Sequence, residues 1–225
     1  MRKIFLTLVA VILFACSTAM AQPSPQWVKN LLAAQKAEQA VIVAGVRGST
    51  AWISMHEKDS AGQWQEIMTT PGFVGKEGLG KVREGDHKTP VGTFKFNFAF
   101  GIEPDPGCAI PYVQVNENHY WSSDNNYKYN EFIDVREAPA NFDKAASEHL
   151  IDFKPNYNYC LNFDYNSDGT PGKGSALFMH CFGAAKPWTG GCVALPEEKM
   201  LFIMQHVKPG CICIIDSLET LGASL

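Results

Sequence analysis

A mainly β fold with a few helices, a β-rich α+β protein, is predicted for this chain on three observations. Short apolar runs alternating with polar residues recur from Val41 onward, Gly and Pro punctuate them up to about Pro111, and few segments show helical spacing. The length permits one domain or two. At 46% hydrophobic and 12% aromatic residues, the composition fits a single soluble domain with a sizeable core.

In chain order, Arg2-Lys3, the apolar run Ile4–Ala15 and Ala19-Met20-Ala21 read as the charged, hydrophobic and cleavage regions of a signal peptide over 1–21. The run is short for a membrane span, and a lipid-modified Cys16 is the alternative fate of the same leader. Pro23–Pro25 reads as a linker. Trp27, Val28, Leu31 and Leu32 then predict an amphipathic helix of about three turns, so that 22–40 forms a linker and N-terminal helix. Val41–Val46 and Ala51–His56 read as strands around the turn Arg47–Thr50, with His56 a strand-surface residue. Trp64–Met68 and Phe94–Phe100 are further strands. Trp121–Tyr129 has the polar, aromatic composition of a surface loop, and Phe142–Leu150 reads as a helix. Tyr157–Tyr165 alternates as a strand. Pro196-Glu197-Glu198 opens a helix to about His206, with its acidic residues at the positive end of the dipole and His206 a structural residue in its last turn. Cys211–Asp216 is the last strand, so a principal domain spans 41–216 and 217–225 is a tail.

Without Arg2 and Lys3, 17 basic residues face 23 acidic ones, which argues against nucleic acid or an anionic membrane surface as partner. Six cysteines remain after cleavage, and an oxidising compartment permits disulfides without choosing their pairing. Cys211 and Cys213 share one strand face and read as core. Cys108, Cys160 and Cys181 read as core or as a structural bridge. No C-x-x-C pair and no H-x-x-x-H occurs, so no metal is expected, nor any cofactor.

The chain is organised around Gly174–Leu195. An apolar run, Ala176–Met179, ends at His180, and a Gly- and Pro-containing loop leads to Thr189-Gly190-Gly191-Cys192 and a second apolar run. An imidazole and a thiol at the rims of adjacent strands suit nucleophilic acyl transfer, and the glycines would let a substrate carbonyl approach the backbone. The backbone N–H groups of Gly191 and Cys192 are the expected oxyanion donors. A buried His and a structural Cys joined by an ordinary turn is the other reading of the same spacing. Upstream, Gly75, Gly78, Gly80 and Gly85 imply a loop of unusual backbone angles, and Thr89-Pro90 sets an extended residue before a strand. The loop lacks Gly-Lys-[Ser/Thr] and a strand-to-helix context, so it is not a phosphate cradle.

His180 followed by Thr189-x-Gly191-Cys192-Val193 resembles the signature of the L,D-transpeptidase catalytic domain, the YkuD-like family. So do Val74–Gly80 and Arg83-Glu84-Gly85-Asp86-x-x-Thr89-Pro90-x-Gly92-x-Phe94, while Trp121-x-x-Asp124, Tyr129-Asn130 and Glu148-His149-Leu150 resemble one branch of it. The resemblance covers about residues 41–216. It implies a β-sandwich or barrel, and Cys192 as a nucleophile activated by His180, either as a general base or in a resting imidazolium–thiolate pair. It also implies a backbone carbonyl of Cys181 orienting the imidazole, and peptidoglycan stem peptides as substrate, cross-linked through a thioester. Gly75–Phe94 would wall the cleft, with Arg83 and Asp86 meeting a zwitterionic stem peptide or one another. Thr189 and Gly190 would border the substrate, and Trp121 would contact it from the aromatic loop. The chain has Gly190 where the signature commonly has His and Ala194 where it commonly has Arg, so substrate recognition differs. A monomer in the periplasm or cell envelope is expected. A secreted carboxypeptidase or other Cys/His cell-wall hydrolase, or a non-catalytic cell-wall-binding protein, are the alternatives.

Overall fold

A computed structural model describes residues 21–183 and 186–223; the leader with Cys16 lies outside them, apart from Ala21. The strands are β1 (Gln22–Pro23), β2 (Gln39–Arg47), β3 (Thr50–Lys58), β4 (Trp64–Phe73), β5 (Gly92–Gly101), β6 (Tyr112–Gln114), β7 (His119–Trp121), β8 (Phe132–Asp134), β9 (Glu148–His149), β10 (Cys160–Phe163), β11 (Phe178–Cys181), β12 (Val193–Leu195) and β13 (Ile212–Ser217). The helices are α1 (Gln26–Ala33) and α2 (Glu197–His206), with short 3-10 turns at Val135–Glu137 and Leu150–Phe153.

The main sheet runs β4-β12-β11-β10-β5-β13-β2-β3, and β3 pairs back onto β4, so the strands close into a barrel-like ring; β1 and β6 extend it at β4 and β5. Closure leaves no long open edge among these strands. A mainly β fold is thus observed, as the alternating runs predict.

Period-two alternation sorts the side chains. Val41 and Val43 of β2, Ile53 and Met55 of β3, Met179 of β11, Val193 and Leu195 of β12 and Cys213 of β13 fill the central core, where Met200, Ile203 and Met204 of α2 join them. Ala40, Ile42 and Ala44 point to the other face, covered by Val28 and Leu32 of α1 and by Leu218 and Leu221 of the C-terminal segment. The 217–225 tail is therefore packed through Leu221, with Leu221 only 8% exposed. Helix α1 is eight residues long, shorter than the three turns its spacing predicts.

The chain between β5 and β10 departs most from expectation. It forms a separate sheet, β8-β7-β9. No helix forms at 142–150: Asp143 Oδ1 accepts the N–H groups of Ala145 and Ala146, offering the backbone a turn, and the segment enters β9 instead. Trp121 lies on no surface loop. It is 2% exposed, stacks on Phe98 and Phe100 and donates its Nε1–H to Asn130 Oδ1 at 2.9 Å. His56 is also buried rather than on the strand surface. It bonds Ser24 and Ser54 through its two ring nitrogens, and burial lowers its pKa to about 4. The cysteines from Cys108 to Cys213 are all free, so neither Cys160 nor Cys181 serves a bridge.

Candidate active site

Strands β11 and β12 are parallel neighbours, with Met179 opposite Val193 and His180 opposite Ala194. From the connection between them, Phe182, Gly183, Lys186, Trp188, Thr189, Gly190 and Cys192 line a cleft of about 550 Å³. Alternation does the rest: Met179 and Val193 point to the core, so His180 and Cys192 both face the cleft, which they line. Two residues of offset on adjacent strands put their Cα atoms roughly 8 Å apart.

His180 Nδ1 sits 2.7 Å from the Cys181 carbonyl. A carbonyl only accepts, so Nδ1 carries the proton and Nε2 is left as the basic nitrogen. Cys181 thus meets the imidazole through its backbone carbonyl, while its thiol packs in the core. The His180 ring meets Tyr157 edge-on at 5.4 Å between centroids. Burial lowers its pKa to about 4, against a smaller upward pull from the Cys181 carbonyl.

The Cys192 thiol donates to Ala176 O at 3.2 Å and receives the Phe178 N–H at 3.4 Å. Burial pushes its pKa up to about 12; Glu148 adds to the rise, while the Phe178 N–H and Lys81 oppose it. Burial thus disfavours charge on both groups, which favours a neutral imidazole and a neutral thiol. Sulfur and imidazole share no hydrogen bond here, and catalytic contacts of this kind commonly tighten only when substrate binds.

Two threonines from distant motifs fix the Cys192 backbone. Thr189 Oγ1 donates to the Cys192 carbonyl at 2.7 Å, and Thr89 Oγ1 donates to it at 3.2 Å. Thr189 Oγ1 also accepts the Gly191 N–H at 3.1 Å. That bond removes Gly191 as a free oxyanion donor and corrects the expectation from sequence. The Cys192 N–H makes no turn or loop hydrogen bond among the described residues, which keeps it as the candidate oxyanion donor. Gly191 has φ +150, and a Cβ there would fall 2.9 Å from both Leu177 Cδ2 and the Lys88 carbonyl. Gly190 borders the cleft with open space around it, and Thr189 lines the cleft beside it.

Arg83 is exposed and makes only a 3.3 Å bond to the Glu84 carbonyl, away from the cleft lining. Asp86 stands behind the cleft wall. Burial works against its charge, yet the Val82, Lys88 and Arg83 N–H groups and Lys81 Nζ hold it well below the usual carboxylate range. Its side-chain partner is Lys81. Trp121 lies beneath the site, edge-on to Phe178 at 4.6 Å, and supports β11 without lining the cleft.

Sequence reasoning assigned no role to Glu148 or Tyr157. Glu148 lines the cleft, its Oε2 takes the Tyr157 hydroxyl at 2.7 Å, and burial raises its pKa to about 7. The Glu148-His149-Leu150 block is visible in the sequence, but as the end of an expected helix it points to no site. Trp188 lines the opposite rim, with Lys76 and Lys186 ammonium groups 5.6 and 4.8 Å from its ring. No helix among the described residues is long and apolar enough to cross a membrane, and no cluster of three metal-ligating side chains occurs among them.

Comparison with curated proteins gives no match. Among solved structures, the chain is similar to the helical cell shape determining protein Pgp2 from Campylobacter jejuni, at 16% identity and TM-score 0.41, over 80% of this chain and 48% of that one. It is similar to an L,D-transpeptidase from Stackebrandtia nassauensis at 15% identity and TM-score 0.35, over 82% of this chain and 57% of that one. The chain thus spans about half the length of these structures. The L,D-transpeptidase catalytic domain (YkuD) matches residues 51–215, strands β3 to β13 with the cleft between them, and the chain belongs to that family.

Proposed function

We propose that this chain is an exported cysteine acyltransferase of the periplasm or cell envelope that forms L,D cross-links between peptidoglycan stem peptides. The observation that supports it is the pinned imidazole: His180 Nδ1 is committed to the Cys181 carbonyl, which leaves Nε2 as the basic nitrogen, and His180 and Cys192 line one cleft. Family membership supports the reaction class.

A donor tetrapeptide enters the cleft with the carbonyl of its third residue over Cys192. His180 Nε2 takes the thiol proton as sulfur attacks, which avoids forming a thiolate in a buried site beforehand. The Sγ–C bond forms and the carbonyl π pair moves to oxygen, beside the Cys192 N–H; one such donor is worth about 2.7–4 kcal/mol to the transition state. The imidazolium returns its proton to the departing amine of the terminal D-Ala, and a thioester remains. An amine of a second stem displaces sulfur to give the cross-link, whereas water would give the tripeptide, the L,D-carboxypeptidase outcome.

Incubating the full chain with disaccharide-tetrapeptide and analysing muropeptides by mass tests this. Released D-Ala with cross-linked dimer supports the proposal. Tripeptide alone replaces cross-linking by trimming, and unchanged substrate overturns both.

A further inference from the structure

One cation in the cleft has no role in the mechanism above. The Lys81 side chain is 2% exposed, and its Nζ lies 3.0 Å from Asp86 Oδ1. An ammonium carries three donors, and Asp86 is the only partner of this one among the described residues. Asp86 does not depend on Lys81 for its own satisfaction, since three backbone N–H groups also hold it. The pairing therefore anchors the lysine.

Two glycines make room for the lysine. A Cβ on Gly174 would fall 2.4 Å from Lys81 Cε, and a Cβ on Gly191 would fall 3.6 Å from Nζ. Gly174 and Gly191 both have positive φ, at +121 and +150. The stem thus passes between two side-chain-free positions of the Gly174–Leu195 stretch, and its charged end emerges beside the Gly191–Cys192 peptide, on the cleft lining. Burying an ammonium with two unused donors costs free energy unless an anion meets it there. The anion that arises at this place is the one made at Cys192.

We propose that Lys81 is a catalytic residue whose ammonium counterbalances the negative charge that develops on the Cys192 sulfur and on the adjoining carbonyl oxygen during attack. The proposal rests on the acyl-transfer reading of the site. Lys81 keeps its proton throughout: the thiol proton goes to His180 Nε2, the sulfur pair forms the S–C bond, and the carbonyl π pair becomes the oxyanion between the ammonium and the Cys192 N–H. The lysine thereby supplies a cation in a site where position 194 is Ala.

The groups that bear on the sulfur are Lys81 from the Gly75–Phe94 loop, Glu148 on β9, Tyr157, Cys160 on β10 and His180 on β11. Among them Lys81 is the permanent cation, so its removal has a signed effect. The test is iodoacetamide alkylation of Cys192, read by peptide mass between pH 6 and 10, in the full-length chain and in Lys81→Met, Lys81→Gln and Lys81→Arg, with thermal melts in parallel. Met and Gln are expected to slow Cys192 alkylation about tenfold at pH 8, while Arg stays within about threefold. Folded neutral variants that match the wild-type rate across this range would overturn the role, as would Lys81→Arg behaving like Lys81→Met. Alkylation needs no substrate. A wild type that alkylates but never acylates therefore sinks the acyl-transfer reading, whereas a Lys81 variant that both alkylates and acylates normally sinks only this proposal.

Discussion

The two glycines before Cys192 should respond very unequally to the same substitution. In Gly191→Ala the new methyl would sit 2.9 Å from the Lys88 carbonyl, which is backbone and cannot swing aside, and 2.9 Å from Leu177 Cδ2. A non-glycine residue at φ +150 adds backbone strain of about 1–3 kcal/mol, and forced overpacking adds a similar amount. Even the lower ends sum to about 2 kcal/mol, which for a chain of this size lowers Tm by roughly 4–8 °C. In Gly190→Ala nothing lies within 4 Å of the new methyl, so stability should stay within about 0.5 kcal/mol. Thermal unfolding by circular dichroism reads both. Equal shifts for the two variants, or a larger one for Gly190→Ala, would refute the packing described around the Gly191–Cys192 peptide.

Other outcomes follow from the same geometry. Replacing Thr89 and Thr189 by Val leaves the buried Cys192 carbonyl without donors, and the double variant should lose about 1–3 kcal/mol by urea titration and slow acylation more than either single change. With His180 lowered to about 4, the acid limb of kcat/KM should fall near pH 4; a limb at 6.5 would mean an exposed imidazole. His56 and His180 stay neutral in the fold below the pH at which the unfolded chain protonates them, so each loses stability as pH falls from 6.5 toward 4. Glu148, raised to about 7, has the opposite sign: native Glu148 binds its proton first, so it gains stability as pH falls from 7 toward 4.5. The three groups leave a net uptake of about one proton on unfolding between pH 4.5 and 6.5. The slope should be about 1.4 kcal/mol per pH unit and should about double in Glu148→Gln.

What the sequence disclosed about this protein was local. The alternation through Phe178–Cys181 and Val193–Leu195 is a period-two pattern of adjacent residues, and it suffices to put His180 and Cys192 on one face once the strands pair. The hairpin β2–β3 is equally legible, because Arg47–Thr50 breaks two apolar runs. Trp121 was misplaced because its burial depends on Asn130 and on phenylalanines of another strand, none of which marks its own neighbours. The helix expected at 142–150 failed to a side chain: Asp143 competes for the N–H groups a helix would need. His56 hides in the core only because Ser24, far away in sequence, supplies a partner. Lys81 is invisible in the sequence for the same kind of reason, since its path exists only where Gly174 and Gly191 meet the upstream loop. The Gly191 N–H was assigned to the oxyanion, yet the Thr189 hydroxyl two residues earlier takes it.

Acyl transfer by this protein requires a sulfur that becomes acylated with the help of an imidazole held at its other nitrogen. Intact mass of the full chain after exposure to a carbapenem measures that directly. One acyl equivalent on the wild type, mapped to Cys192, lost in Cys192→Ala and formed at least about a hundredfold more slowly in His180→Ala, is the predicted result. An unmodified wild type, or an adduct that persists in Cys192→Ala, would contradict it.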